Sequence, residues 1–101
     1  MRFLVHVAVD FPDELRDPDD PRRQELLAAE LERGLELRRN GTIEAIWRVP
    51  GGLHNVGIWR VDGPTELDEA ISSLPLASWL RVEVTALADH PIERALGRGG
   101  D

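Results

Sequence analysis

Two titratable side chains occupy positions where the surrounding pattern is apolar, and Glu30 is the first of them. At about 100° per residue, Glu30 falls inside the apolar arc that includes Leu27 and Leu31. A carboxylate turned toward a sheet is desolvated, and desolvation raises its pKa toward the range of an effective general base. Glu30 is therefore a candidate proton carrier. The alternative is that it reaches solvent at the edge of the arc or pairs with Arg23 or Arg33.

His6 is the second candidate, because it lies between Leu4 and Ala8 on one face of a strand-like segment. Most histidines in such positions are core residues with satisfied hydrogen bonds, which is the alternative interpretation. A helix packed on a sheet can bring Glu30 and His6 into one cleft, where two titratable groups suit proton transfer. We therefore predict Glu30 and His6 as the catalytic residues.

A third cluster consists of Trp47-Arg48 and His54-Asn55, on either side of a turn. Arg48 could hold a substrate carboxylate through a bidentate contact, or form a surface or interface ion pair. Asparagine is disfavoured in strands, so Asn55 is expected to have a specific hydrogen-bonding role. Trp47 and Trp59 fit a core or a subunit interface as well as the wall of a ligand site. We predict Trp47, Arg48, His54 and Asn55 as substrate-binding residues.

Other common kinds of site are not indicated. His6, His54 and His90 are widely separated and show no metal-ligand spacing, so no metal site is expected. Gly51-Gly52 is a turn without the further glycines or lysine of a phosphate loop. The absence of cysteine excludes disulfides, thiolate metal sites and thiol nucleophiles, and it is compatible with a reducing cytoplasm.

These side chains must be positioned by a short series of elements. Hydrophobic patterning predicts strands over residues 2–9, 42–49, 53–61 and 80–87, with helices over 21–39 and 64–73. Asp19 or Asp20 before Pro21 indicates the start of the long helix, and Asn40-Gly41 indicates its end.

The limits of the second helix and of the domain are predicted in the same way. Thr65 and Asp68 form a capping-box pattern at the start of the second helix, and Pro75 follows its end. The tail contains His90-Pro91 and then a glycine-rich run. We expect one domain over residues 1–91 and a partly mobile tail over 92–101.

Composition restricts the class of protein. The chain has 101 residues, of which 42% are hydrophobic and 31% charged, as in a single soluble globular domain. Its formal net charge of -7 would repel a phosphate backbone or an anionic lipid surface. Neither a signal peptide nor an apolar run of membrane-spanning length is present, so we expect no nucleic-acid partner, no membrane association and a cytoplasmic location.

The order β-α-β-β-α-β is that of the α+β ferredoxin-like fold, in which two helices cover one face of a four-stranded antiparallel sheet. The other face would leave apolar residues exposed, since we expect Leu4, Trp47 and Trp59 there. A second copy packed sheet to sheet, as in a dimeric α/β barrel, would cover this face. Such a fold hosts small cofactor-free enzymes, ligand-binding regulators and monooxygenases alike.

With these elements in place, residues 1–91 resemble the muconolactone delta-isomerase family. The segments that carry the resemblance, in order, are Phe3 to Val9, Glu30, Asn40-Gly41-Thr42, Trp47-Arg48, Gly51 with Asn55, Leu74-Pro75-Leu76, Val82-Glu83-Val84 and His90-Pro91.

The resemblance implies a ferredoxin-like fold, a tight dimer and the assembly of dimers into a ring-like decamer. It also implies a cofactor-free isomerase that converts muconolactone to the 3-oxoadipate enol-lactone in the β-ketoadipate route of aromatic breakdown. Glu30 lies where the family has its helix glutamate. The chain departs from the family at His6, where a lysine is usual, at Ile43 and at Leu53-His54, where aromatic residues are usual. The alternatives are a related lactone isomerase or dehalogenating lyase, and a non-catalytic protein that binds a small ligand.

Overall fold

The computed structural model describes residues 1–97 and contains a single four-stranded sheet. The strands are β1 (Arg2–Val9), β2 (Ile43–Val49), β3 (His54–Arg60) and β4 (Leu80–Leu87), and the helices are α1 (Pro21–Arg39), α2 (Pro64–Ser72) and α3 (Pro91–Ala95). Short 3-10 turns lie at Asp13–Leu15 and Ala77–Trp79. The strand order is β2-β3-β1-β4, and every neighbouring pair is antiparallel. The ferredoxin-like prediction is confirmed.

Helix α1 has the predicted ends. The side chain of Asp20 accepts a hydrogen bond from the backbone N–H of Arg22, and Pro21 is the first helical residue. Asn40 is the C-cap, and Gly41 follows with φ +86°, a conformation that glycine adopts without steric cost.

The beginning of α2 differs from the prediction. Gly63 is the N-cap and Pro64 is the first helical residue, so Thr65 already lies inside the helix and no side chain caps its end. The predicted Thr65–Asp68 capping box is therefore wrong, because proline at the first helical position starts the helix earlier. Helix α3 was not predicted; it lies in the expected tail, and the end of that tail falls outside the described residues.

Strand pairing determines which side chains face the helices. Phe3, Val5 and Val7 point to the helix face and are at most 4% exposed, packed with Leu37 of α1 and Leu67 of α2. A second apolar cluster of Phe11, Leu15 and Leu76 closes the other end of the domain. The helices thus cover one face of the sheet, which we call the helix face, and leave the opposite, open face uncovered in the single chain.

Trp59 lies on the helix face because it pairs with Phe3 and Ile43, and it is 2% exposed. Its predicted place on the open face is wrong. Trp47 does lie on the open face, since it pairs with Val56, and 57% of it is exposed. Within residues 1–97 no helix is both long enough and apolar enough to cross a membrane.

Candidate functional site

A cavity of about 320 Å³ lies between α1 and the helix face of the sheet. Its wall is mainly apolar, with a few polar groups, as is usual for a site that binds a small molecule. The lining residues are Val7, Glu30, Leu31, Gly34, Leu35, Arg38, Ile43, Ile46, Asn55, Trp59 and Leu74.

Glu30 projects from the middle of α1 into this region. Its Oε1 accepts a hydrogen bond of 2.9 Å from the backbone N–H of Leu76, a residue that is 1% exposed and follows Pro75 in the loop after α2. Glu30 thereby satisfies a buried backbone donor. Among residues 1–97 its Oε2 has no hydrogen-bond partner, and one carboxylate oxygen stays available to a ligand.

Burial raises the pKa of Glu30 above its ordinary value, and the hydrogen bond from Leu76 opposes this shift only in part. The arginines considered as ion-pair partners are engaged elsewhere. Arg33 contacts Glu36 at 2.9 Å, and Arg23 donates to the carbonyl oxygen of Arg16. Glu30 is therefore a partly desolvated carboxylate without a cationic partner in the described chain, which is the environment of a general base.

The helical phase explains why Glu30 is positioned in this way. Leu37 is buried, Leu26 and Leu27 are half-buried, and Leu31 is 63% exposed. The face of α1 that meets the sheet is therefore centred close to Glu30, whereas Leu31, expected in the apolar arc, lies at the margin of the cavity.

Two further polar groups of the cavity have no partner. The Oδ1 of Asn55 and the Nε1 of Trp59 are buried, and neither forms a hydrogen bond within the described chain. Buried polar atoms without partners are uncommon and costly, and both of these belong to residues that line the cavity. The residues that line the cavity therefore include an acid, an amide and an indole, and the last two each carry a buried polar atom without a partner in the described chain. The role expected for Asn55 is thus supported by its position.

Arg38 lines the cavity, whereas Arg48, the arginine that the sequence suggests for substrate binding, does not. Arg48 pairs with Asn55 and is on the helix face, but it is exposed and does not line the cavity. Arg38, near the end of α1, does line it. Sequence reasoning missed Arg38; the available signal was its spacing of four residues from Gly34 and eight from Glu30, which places all three side by side on the helix.

His6, His54 and Trp47 lie away from this cavity. Val7 lines the cavity, so its neighbour His6 points to the open face, and the His6 ring lies 5.9 Å from that of His54 on the same face. The prediction that His6 and Glu30 share a cleft is wrong within one chain, because the sheet separates them. His54 and Trp47, expected beside the substrate, are on the open face for the same reason.

A second cavity, of about 470 Å³, lies between α2 and β4 and is lined largely by apolar side chains such as Leu67, Ile71 and Val84. Asp68 is its only titratable lining residue in the described chain. In the described chain no unpartnered buried polar side-chain atom accompanies it. The polar groups that could take part in a reaction therefore lie at the cavity between α1 and the sheet.

Comparison with known proteins gives the family. The model of the muconolactone delta-isomerase family matches residues 1–93. The chain belongs to this family. Muconolactone delta-isomerase of Rhodococcus opacus is 36% identical over 87 residues, covering 86% of this chain and 92% of that protein. The enzyme of the same name from Acinetobacter baylyi is 34% identical over 91 residues, covering 90% and 92%.

Solved structures agree with this membership of the muconolactone delta-isomerase family. A crystal structure of muconolactone isomerase superposes with a TM-score of 0.79 at 32% identity, covering 90% of this chain and 92% of that one. A 5-chloro-2-hydroxyhydroquinone dehydrochlorinase of Burkholderia phenoliruptrix superposes with a TM-score of 0.64 at 18% identity, covering 89% and 96%, and shares the fold.

Proposed function

We propose that this chain is a muconolactone delta-isomerase in which Glu30 carries the proton. The observation on which this rests is the partly buried carboxylate of Glu30, which lines a largely apolar cavity and has no cationic partner in the described chain. Membership of the family supports the choice of substrate.

The chemistry is a shift of hydrogen along an allylic system. The Glu30 carboxylate removes a proton from the saturated ring carbon next to the C=C bond, because the lactone carbonyl acidifies this C–H bond through the conjugated C=C bond. The C–H electron pair enters the conjugated system and forms a dienolate, and protonated Glu30 returns the proton to the carbon next to the carbonyl. The double bond moves by one position, and no atoms are gained or lost. The raised pKa of Glu30 suits both steps.

The dienolate needs hydrogen-bond donors for the charge that develops on its oxygen. Asn55 is suited to this role, because it lines the cavity and its side-chain amide carries an NH₂ group that can donate hydrogen bonds. His6 is left out of this mechanism because it points to the other face of the sheet.

The decisive experiment is Glu30→Gln. Glutamine keeps the shape and can still accept the hydrogen bond from Leu76, so the variant should fold while turnover of muconolactone falls by at least about a hundredfold. Glu32→Gln, an exposed position on the same helix, is the matched control and should keep full turnover. Near-full activity of Glu30→Gln would refute the mechanism. Binding of muconolactone without turnover by the unaltered protein would indicate a binding protein instead.

The proposal extends to assembly. Leu4 and Trp47 on the open face are 37% and 57% exposed, and a second copy packed sheet to sheet would cover them and place the His6–His54 pair at the interface. We expect a dimer, and dimers assembled into a decamer as the family resemblance implies, working in the cytoplasm. Light scattering at micromolar concentration should then detect no species of one 11.3 kDa chain.

A further inference from the structure

The cavity beside α1 has a second polar end that the proton transfer does not use. Arg38 lines it, and so does Trp59, whose buried Nε1–H has no acceptor in the described chain. An exposed arginine at a cavity margin and a buried indole N–H are both donors, and neither can accept a hydrogen bond. Together they favour a ligand group that accepts hydrogen bonds and carries negative charge.

The positions of these donors along the fold separate them from Glu30. Arg38 follows Glu30 by eight residues, about 12 Å along the helix, and Trp59 follows Asn55 by four residues, about 13 Å along the strand. Leu37, beside Arg38, packs in the same cluster as Trp59, whereas Glu30 is hydrogen-bonded to Leu76 in the other cluster. The cavity therefore has one end with Glu30 and Asn55 and another with Arg38 and Trp59.

Arg38 has no competing role within its own helix. Its partners at the spacings that favour intrahelical ion pairs, three and four residues earlier, are Leu35 and Gly34, and neither carries charge. No ion pair or side-chain hydrogen bond of Arg38 exists among residues 1–97. A basic residue in the last turn also favours the helix dipole, but Arg39 shares that position and does not line the cavity.

We infer that Arg38 and the indole N–H of Trp59 bind the carboxylate of the substrate and so place its lactone ring against Glu30. This inference rests on the proposed function, since muconolactone carries one acetate arm. It assigns to Arg38 the contact that the sequence suggested for Arg48. The planar guanidinium of arginine can form two parallel hydrogen bonds to a carboxylate. The indole N–H adds a third donor, and once the substrate fills the cavity and excludes water, the substrate carboxylate is the acceptor for this donor.

The test compares two substrates. Arg38→Ala should raise KM for muconolactone by about tenfold to a hundredfold, the usual effect of losing a hydrogen bond to a charged group. KM should be nearly unchanged for the same lactone ring with a methyl group in place of the acetate arm. Trp59→Phe should act in the same direction. Arg39→Ala controls for the helix dipole and should not alter KM, because Arg39 does not line the cavity.

Two outcomes would overturn the inference: an equal rise in KM for both substrates, or a rise with Arg48→Ala and none with Arg38→Ala. If the unaltered protein does not isomerise muconolactone, the proposed function fails, and binding of the saturated, unreactive lactone acid is measured by calorimetry. Weaker binding by Arg38→Ala than by Arg39→Ala then supports the carboxylate subsite on its own. Equal binding by the two variants refutes it.

Discussion

Gly34 gives a test in which stability and substrate binding change in opposite directions. It lies within α1, where glycine costs a helix about 0.8–1.0 kcal/mol relative to alanine. A Cβ added to Gly34 meets no atom within 4 Å outside its immediate helical surroundings. Gly34→Ala should therefore raise the free energy of unfolding by about 1 kcal/mol, which corresponds to roughly 4–8 °C in Tm for a domain of this size.

The reason for a costly glycine at this position is the cavity, whose wall includes Gly34 between Glu30 and Arg38. Leucine is nearly as good a helix former as alanine, but its side chain would occupy space that the lactone needs. Gly34→Leu should therefore fold at least as stably as the unaltered protein while KM for muconolactone rises by at least about tenfold.

Thermal unfolding followed by circular dichroism measures the first effect, and initial rates over a range of lactone concentrations measure the second. Gly34→Ala also serves as the matched control for Gly34→Leu, because both relieve the glycine cost and only leucine fills the cavity. A drop in Tm for Gly34→Ala would show that α1 lies closer to the sheet than the geometry indicates. Unchanged KM for Gly34→Leu would show that the substrate binds elsewhere.

Two more predictions concern Gly57 and Glu30. A Cβ at Gly57 would lie 2.8 Å from the carbonyl oxygen of Ala45. Gly57→Ala should therefore lower the free energy of unfolding, measured by urea titration, by about 1–3 kcal/mol. A gain in stability like that expected of Gly34→Ala would contradict this close packing. Burial raises the pKa of Glu30 in the folded protein above its value in the unfolded chain. The contribution of Glu30 to the free energy of unfolding is therefore fully present below the unfolded pKa and is lost as pH rises through the folded pKa. Glu30→Gln should consequently gain stability relative to the unaltered protein between pH 4 and pH 8, and a constant difference in Tm across this range would refute the burial.

The parts of the fold with local signals could be predicted from the sequence. Pro21 and Asn40-Gly41 mark the ends of α1 through chemistry that acts within a few residues, and the structure places them as expected. Glu30 could be singled out for a similar reason, because helical phase depends only on spacing. Helix α3 was missed because a helix as short as Pro91–Ala95 carries little periodic pattern.

The face of the sheet on which a side chain lies could not be obtained in the same way. Alternation along a strand separates two sets of residues but does not say which set the helices cover. For β1 both sets are apolar enough to be covered, and His6 was therefore assigned to the wrong side. The unpartnered atoms of Asn55 and Trp59 likewise follow from three-dimensional packing, which no spacing rule contains.

The register of the β2–β3 hairpin determines which side chains of β3 face the cavity. Asn55 and Trp59 lie on the same face of β3, toward the cavity, because they are four positions apart, and His54 faces the other way. A slip of one residue would put His54 and Ile58 into the cavity and remove the amide and the indole N–H. Gly57 opposes such a slip, since a side chain at that point of the ladder would collide with the carbonyl of Ala45. A glycine that carries no chemistry therefore keeps the chemical groups of β3 opposite Glu30.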